Sequence, residues 1–323
     1  MAYISFQPSD FFNTVLYTGT DSTNAITGVG FQPDITWIKK RSGVASSSIQ
    51  DSVRGNDKSF KSNTSSAEFT NSYFDSFDSD GFTVSTSESD VNANSATYVS
   101  WNWKMPTTTG LDLSAGTITP SSYAVDVASG MGMYKFTGNA TNGATFAHGL
   151  GKAPDWVFCK NIAYAGTWST YHRGTDVTAP GDYFTILEGT AARTNNADYW
   201  YDTKPSSTLI TLGAHGSVNG SGEQIMAYAF SSVKGFSMFC RWEGNSSTDG
   251  AFLYTGFRPA FFMYKVVEGT TGGWGMLDNK RDTFNPADNT LSADSNGAEA
   301  DDHDVDFLSN GLKIKSSGGN INM

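Results

Sequence analysis

The groups in this 323-residue chain that could do chemistry are four histidines, two cysteines and a scatter of acidic and aromatic side chains. His148, His172, His215 and His303 show no HExxH or HxH spacing, so metal-ligand geometry is not indicated. His148 stands in a loop before a proline and reads as a solvated loop residue. Cys159 and Cys240 form neither a disulfide framework nor a CxxC pair. Both are expected to be free, packed thiols, with one cross-domain bridge as the alternative. No GxSxG elbow is present, and no GxGxxG or Walker motif opens a helix. Asp75-x-x-Asp78-x-Asp80-Gly81 places oxygens close enough for calcium, but it lacks the ligand series of an EF-hand and its Asp-Gly is accounted for by a turn. The run Glu299-Ala300-Asp301-Asp302-His303-Asp304 reads as a solvated acidic loop. A glycosidase needs two carboxylates converging in space, and no spacing here identifies such a pair. The expectation is a protein without catalytic residues, metal or cofactor.

The aromatic residues form a second group of candidates. Trp101, Trp103, Trp168, Trp200, Tyr201, Trp242 and Trp274 could stack on sugars. Trp101 and Trp103 share one strand face and read as core. Trp200-Tyr201 lies in the polar stretch from Asn195 to Ser207 and is the candidate exposed contact, to a host surface glycan or a protein partner. Phe6, Phe11 and Phe12 lie on a polar lead-in. They either dock on a partner or cover the core of the first unit.

The elements that must position these residues are strands. Charged residues are 16% of the chain, aromatics 14%, and glycine occupies 34 positions. Short apolar or alternating runs between Gly, Asn, Asp and Ser predict an all-β fold. The net charge of −11 repels a phosphate backbone and argues against nucleic acid. No apolar run approaches a bilayer span, so membrane insertion is not expected. Met1 to Asp10 has neither a basic n-region nor an apolar h-region, so no secretory signal is expected there.

The chain repeats itself. Tyr17-Thr18-Gly19, Phe136-Thr137-Gly138 and Trp242-Glu243-Gly244 are each followed by a polar loop. Pro33, Pro154 and Pro259 then each precede a lysine by six residues: Lys39, Lys160 and Lys265. The gap from Gly to Pro is 14, 16 and 15 residues. Proline opens the next strand, where a missing N–H does no harm, and the lysine is expected to mark its exit to solvent. Asp80-Gly81 and Asn310-Gly311 predict type I′ hairpins, with a weak counterpart at Thr208–Gly213. Ser62–Glu68 is echoed by Ser292–Glu299. Closing strands are expected at Thr97–Trp103 and Ile225–Phe230, with no third counterpart. This divides the chain into three tandem β-sandwich-like units, 13–104, 131–234 and 235–323, with a lead-in at 1–12 and a Thr/Ser/Gly-rich connector at 105–130. Either the sequence continues past Met323, or the third unit is expected to leave an open strand edge that invites a neighbouring chain.

Together with Asp51-Ser52-Val53-Arg54-Gly55 and Phe77-Asp78-Ser79-Asp80-Gly81-Phe82, the phrase Gly28-Val29-Gly30-Phe31-Gln32-Pro33-Asp34-Ile35-Thr36-Trp37-Ile38-Lys39 resembles a repeat family. Its members are structural proteins of tailed bacteriophages, many of them marine or cyanobacterial. The resemblance implies a non-enzymatic virion component, a tail fibre or a capsid decoration. It further implies assembly in the host cytoplasm, other virion proteins as partners and a homo-oligomer. The family supplies no catalytic residues to transfer.

Overall fold

The computed structural model describes residues 5–323; Met1 to Ile4, the start of the lead-in, lie outside them. The strands of the described residues pair antiparallel, and the α-helices among them are two of four residues each, α1 (Ala197–Trp200) and α2 (Gly216–Asn219). No helix among them is long and apolar enough to cross a membrane.

The first segment contributes β1 (Phe12–Thr18), β2 (Asn24–Ile26), β3 (Ile35–Lys40), β4 (Ser48–Asp51), β5 (Gly55–Phe60), β6 (Phe69–Thr70), β7 (Phe74–Asp78), β8 (Gly81–Val84) and β9 (Thr97–Trp103). Six of these pair in the order β1-β9-β3-β4-β5-β6, and β2-β8-β7 form a second sheet. The second segment contributes β10 (Ser122–Asp126), β11 (Met131–Thr137), β12 (Ala144–Ala147), β13 (Trp156–Asn161), β14 (Ser169–His172), β15 (Tyr183–Ile186), β16 (Thr194–Asn195), β17 (Leu209–Leu212) and β18 (Gln224–Phe230). Its main sheet runs β10-β11-β18-β13-β14-β15-β16, beside a β12-β17 pair. Apart from β10, this order matches that of the first sheet place for place. The third segment contributes β19 (Phe252–Tyr254), β20 (Phe261–Lys265), β21 (Trp274–Asp278), β22 (Ala287–Ser292), β23 (Ala300–Leu308) and β24 (Gly311–Ile314). They form one sheet, β19-β24-β23-β22-β21-β20.

Alternation at period two decides which core each side chain enters. On β3, Ile35 and Trp37 face a central cluster while Ile38 faces the β2-β8-β7 layer. On β18, Met226, Tyr228 and Phe230 face the same central cluster, and Ile225, Ala227 and Ala229 face the layer of β12 and β17. The third segment adds Trp274, Met276, Leu291 and Ala293 to the centre, and packs its other face around Phe262, Tyr264, Leu277 and Phe307. Three sheets thus share one apolar centre. Each also keeps a core of its own.

Several expectations change. Residues 105–130 are not a loose connector: they carry β10, and Leu113 and Ile118 are buried. The hairpins form, but their loops are Ser79-Asp80 and Ser309-Asn310, one residue earlier than a type I′ turn at Asp-Gly or Asn-Gly requires. The glycines answer to close approach instead. A Cβ on Gly81 would lie 2.0 Å from the Ile26 carbonyl oxygen, and one on Gly311 would lie 2.2 Å from that of Leu253. The acidic run from Glu299 is not a loop, because Ala300 opens β23.

Candidate docking site

The junctions between segments are made by the three lysines that the sequence placed at strand exits. That expectation is wrong for all three. Lys39 and Lys160 are fully buried and Lys265 is half-buried. Each crosses to another segment. Lys39 Nζ donates to the Ser295 carbonyl at 2.5 Å, Lys160 to that of Ser65 at 2.8 Å and Lys265 to that of Thr190 at 3.0 Å. A second acceptor lies on the lysine's own segment: Ala45, Gly166 or Gly272. The backbone repeats the pattern, with Ala45 N donating to Asn296 O, Gly166 N to Ser65 O and Gly272 N to Thr190 O, at 2.8–2.9 Å. The first segment thus holds the third, the second holds the first and the third holds the second. Burial lowers each ammonium to about 8, against the opposing pull of nearby carboxylates.

Buried ion pairs line the same centre. Arg54 binds Asp51 and Glu68, and Arg281 binds Asp278 and Glu299. Burial alone would raise the Glu299 carboxyl; hydrogen bonds from Arg41 and Arg281 hold it below its usual range. Closing-strand aromatics complete the arrangement across segments. Trp101 Nε1 donates to Asp278 at 3.1 Å, and the Tyr228 hydroxyl donates to Asp51 at 2.6 Å. The second segment carries His172 in register with these two aspartates: Asp51 pairs with Ile35, His172 with Trp156 and Asp278 with Phe261, each two residues after its proline. Burial lowers His172 to about 4.

Beside this centre lies a groove of about 1050 Å³. Its walls are β20 and residues 236–244, with Phe12, Trp103, Trp156 and His172 among the lining side chains. β20 pairs with β21 on one side only, so its other edge faces the groove.

The anticipated contact residues fall as follows. Trp200 is 1% exposed and sits edge-on to Tyr171, with ring centroids 6.1 Å apart, so it is a core residue and no exposed contact. The polar stretch misled because α1 turns its last residue inward. Tyr201, the left-handed cap of that helix, is 46% exposed. Phe6 and Phe11 pack on each other and on Phe236, and Phe12 packs on Trp103 and Phe261. Phe6 and Phe11 therefore tie the lead-in to Phe236 on the groove wall, while Phe12 packs both on the first segment's Trp103 and on the third segment's Phe261. His148 is buried, with Nδ1 accepting from the Leu150 amide and Nε2 against the Ser206 carbonyl, so it is not a solvated loop residue. Cys159 is free and buried, whereas Cys240 is free and exposed rather than packed.

The acidic motifs are largely engaged within the fold. Asp80 accepts from the amides of Gly28 and Gly30, Asp78 from Ser76 and Thr83, and Asp75 from Ser85. Asp288, Asp301 and Asp304 bring carboxylate oxygens within 4.8 Å of one another, a set that could hold a hard divalent cation. Burial and the surrounding carboxylates raise Asp288.

Residues 7–323 match a single family model. The chain belongs to the DUF7483 family, a domain of unknown function. No curated protein and no solved structure matches it. The DUF7483 match runs through all three segments, the groove and the lysine junctions.

Proposed function

We propose that this chain is a non-enzymatic structural protein of a tailed-phage virion, carried at the particle surface as a tail-fibre component or a capsid decoration. We further propose that its body is three copies of one β unit closed into a ring. The observation that carries the reading is the cyclic set of junctions, in which each segment holds another through a lysine drawn out of solvent and a matching backbone bond. A body bonded across every junction suits a structural component of a particle. The matched strand order of the first two sheets supports the same reading. The resemblance of the Pro-to-Lys phrases supplies the virion context, other virion proteins as partners and a homo-oligomeric assembly.

A glycan-binding reading loses its two-ring platform with the burial of Trp200, which leaves Tyr201 alone. A hydrolase reading stands further back, because Asp51 and Asp278 are neutralised by arginines. The test is imaging and mass spectrometry of purified particles. A fixed copy number at a defined head or tail position is expected. Absence from particles, or turnover of a host polysaccharide by the purified chain, would overturn the proposal.

A further inference from the structure

The groove is bordered by two backbone edges that lack partners. In the first sheet β9 lies between β1 and β3, and in the second β18 lies between β11 and β13, hydrogen-bonded on both sides. In the third segment β20 corresponds to β3 and β13 by its proline. Residues 238–244 correspond to β1 and β11 by their aromatic-x-Gly. Asparagines repeat at the same place: Asn92, Asn219 and Asn322 each accept, through Oδ1, the amide of the residue after that glycine, at 3.0, 2.8 and 2.9 Å. The amides of Asp34 and Asp155, each directly after its proline, donate to the last residues of the closing strands, Trp103 and Phe230, at 2.7 and 2.8 Å. The matching amide, that of Ala260, meets no acceptor among the described residues. Its carbonyl nevertheless accepts from Asn279, as those of Asp34 and Asp155 accept from Ser52 and Arg173. On the opposite wall, residues 240–243 make no backbone–backbone bond among the described residues.

The unpartnered polar groups of the groove are donors. At the other two junctions a closing-strand donor meets an aspartate of another segment: Trp101 Nε1 meets Asp278, and the Tyr228 hydroxyl meets Asp51. At the third junction His172 stands in the aspartate's place. Its Nδ1 accepts from the Gly174 amide at 2.9 Å. Burial keeps the ring neutral at pH 7, so its proton sits on Nε2, for which no acceptor stands among the described residues. Trp156 is its register partner on β13, and Trp156 Nε1 is buried without an acceptor. So is Nη1 of Arg241 on the opposite wall. The Phe239 ring links the walls, 6.2 Å from the Trp156 ring and 6.0 Å from that of His172. Buried donors are ordinarily paired, and three unpaired ones lining one groove call for an acceptor. The lining charges agree: Arg241, Arg258, Lys265 and Lys280 stand against Glu243 and Glu268, on a chain whose net charge is −11.

We propose that the groove receives an extended segment of another protein, added as a strand between β20 and residues 238–244 and bringing a carboxylate to His172, Trp156 and Arg241. Two unpaired backbone edges are answered by a third backbone, so strand addition fits where a lipid or a sugar does not. Direction follows from β9 and β18, which run antiparallel to β3 and β13. Register follows as well. Trp101 lies opposite Trp37 and Tyr228 opposite Phe158, each four residues after its proline. The carboxylate therefore stands opposite Met263. The residues two places to either side of it are apolar, as Val99 and Trp103 are beside Trp101 on β9. The closing strands of a second copy do not fit this description. β9 and β18 are already paired on both edges, and each carries a donor where the groove asks for an acceptor.

The inference rests on the unpaired edges and donors and not on the virion reading, so particle imaging and the following test can fail independently. The probe is a fluorescein-labelled peptide of the β9 sequence, Thr97 to Trp103, carrying Trp101→Glu. It is titrated with the full chain and followed by fluorescence polarisation. Saturable binding is expected, about tenfold tighter than that of the unsubstituted peptide, as one charge-assisted hydrogen bond warrants. In the chain, His172→Leu should erase that difference and His172→Gln, which keeps a donor, should retain part of it. Absence of binding, equal binding of the two peptides by the wild type, or a preference that survives His172→Leu would overturn the proposal. So would a peptide-free chain that sediments as a dimer and is dispersed by the peptide, a result that assigns the groove to a second copy.

Discussion

Replacing Lys160 by methionine tests the lysine junction most directly. The ammonium is fully buried, donates to the carbonyls of Ser65 and Gly166, and is drawn by burial down to about 8 while Glu188 opposes that change. An unfolded lysine titrates near 10.4. Between those two values the unfolded chain binds more protons than the folded one, so stability rises with pH through this window and the burial penalty is complete below it. Between pH 7 and pH 9.5 the wild type should gain about 2 kcal/mol from this one group, since each tenfold change in proton affinity is worth ~1.36 kcal/mol. Lys160→Met removes the gain and takes the ammonium donor from the Gly166 carbonyl, at a cost of about 1–3 kcal/mol, while the Ser65 carbonyl keeps the Gly166 amide. The assay is urea unfolding, followed by tryptophan fluorescence at both pH values. Comparing wild type with variant cancels the opposing contributions of buried Cys159 and Tyr134, which both proteins share. The wild type is expected to pull ahead of the variant by about 2 kcal/mol as the pH rises. A wild-type-minus-variant difference that stays constant from pH 7 to 9.5 would refute the reasoning.

Arg281→Ala leaves Asp278 buried without its partner and should cost about 3–5 kcal/mol, measured by denaturant unfolding. Gly311→Ala sets a Cβ against the Leu253 carbonyl and should destabilise by more than about 1 kcal/mol on the same measurement. Trp200→Ala should cost about 3–5 kcal/mol as a core truncation, while Tyr201→Ala should stay within about 0.5 kcal/mol. If both variants lose the same stability, the assignment of Trp200 to the core fails.

The strands were readable because period-two alternation and punctuation by Gly, Asn and Pro are local signals. β9 falls on Thr97–Trp103 as expected, and β18 differs from expectation by one residue. What could not be read was destination. Lysine at the end of a strand is ordinarily solvated, and only the arrival of another segment's carbonyl made Lys39 and Lys160 interior. The signal was nevertheless present. The echoed phrases Ser62–Glu68 and Ser292–Glu299 hold the two serines that receive those lysines and the two glutamates that meet the arginines. Trp200 failed for the same reason in reverse: a polar neighbourhood in sequence says little about the face a four-residue helix turns inward. Asp80-Gly81 and Asn310-Gly311 gave the right hairpins by the wrong cause, since each glycine is fixed by a carbonyl of another strand.

The junctions have one more consequence. Their bonds link side chains and backbone groups far apart in sequence, and none requires the peptide chain to pass from one sheet to the next. The covalent order of the segments is therefore separable from their spatial order. A cut between the second and third segments would leave each of these contacts in place.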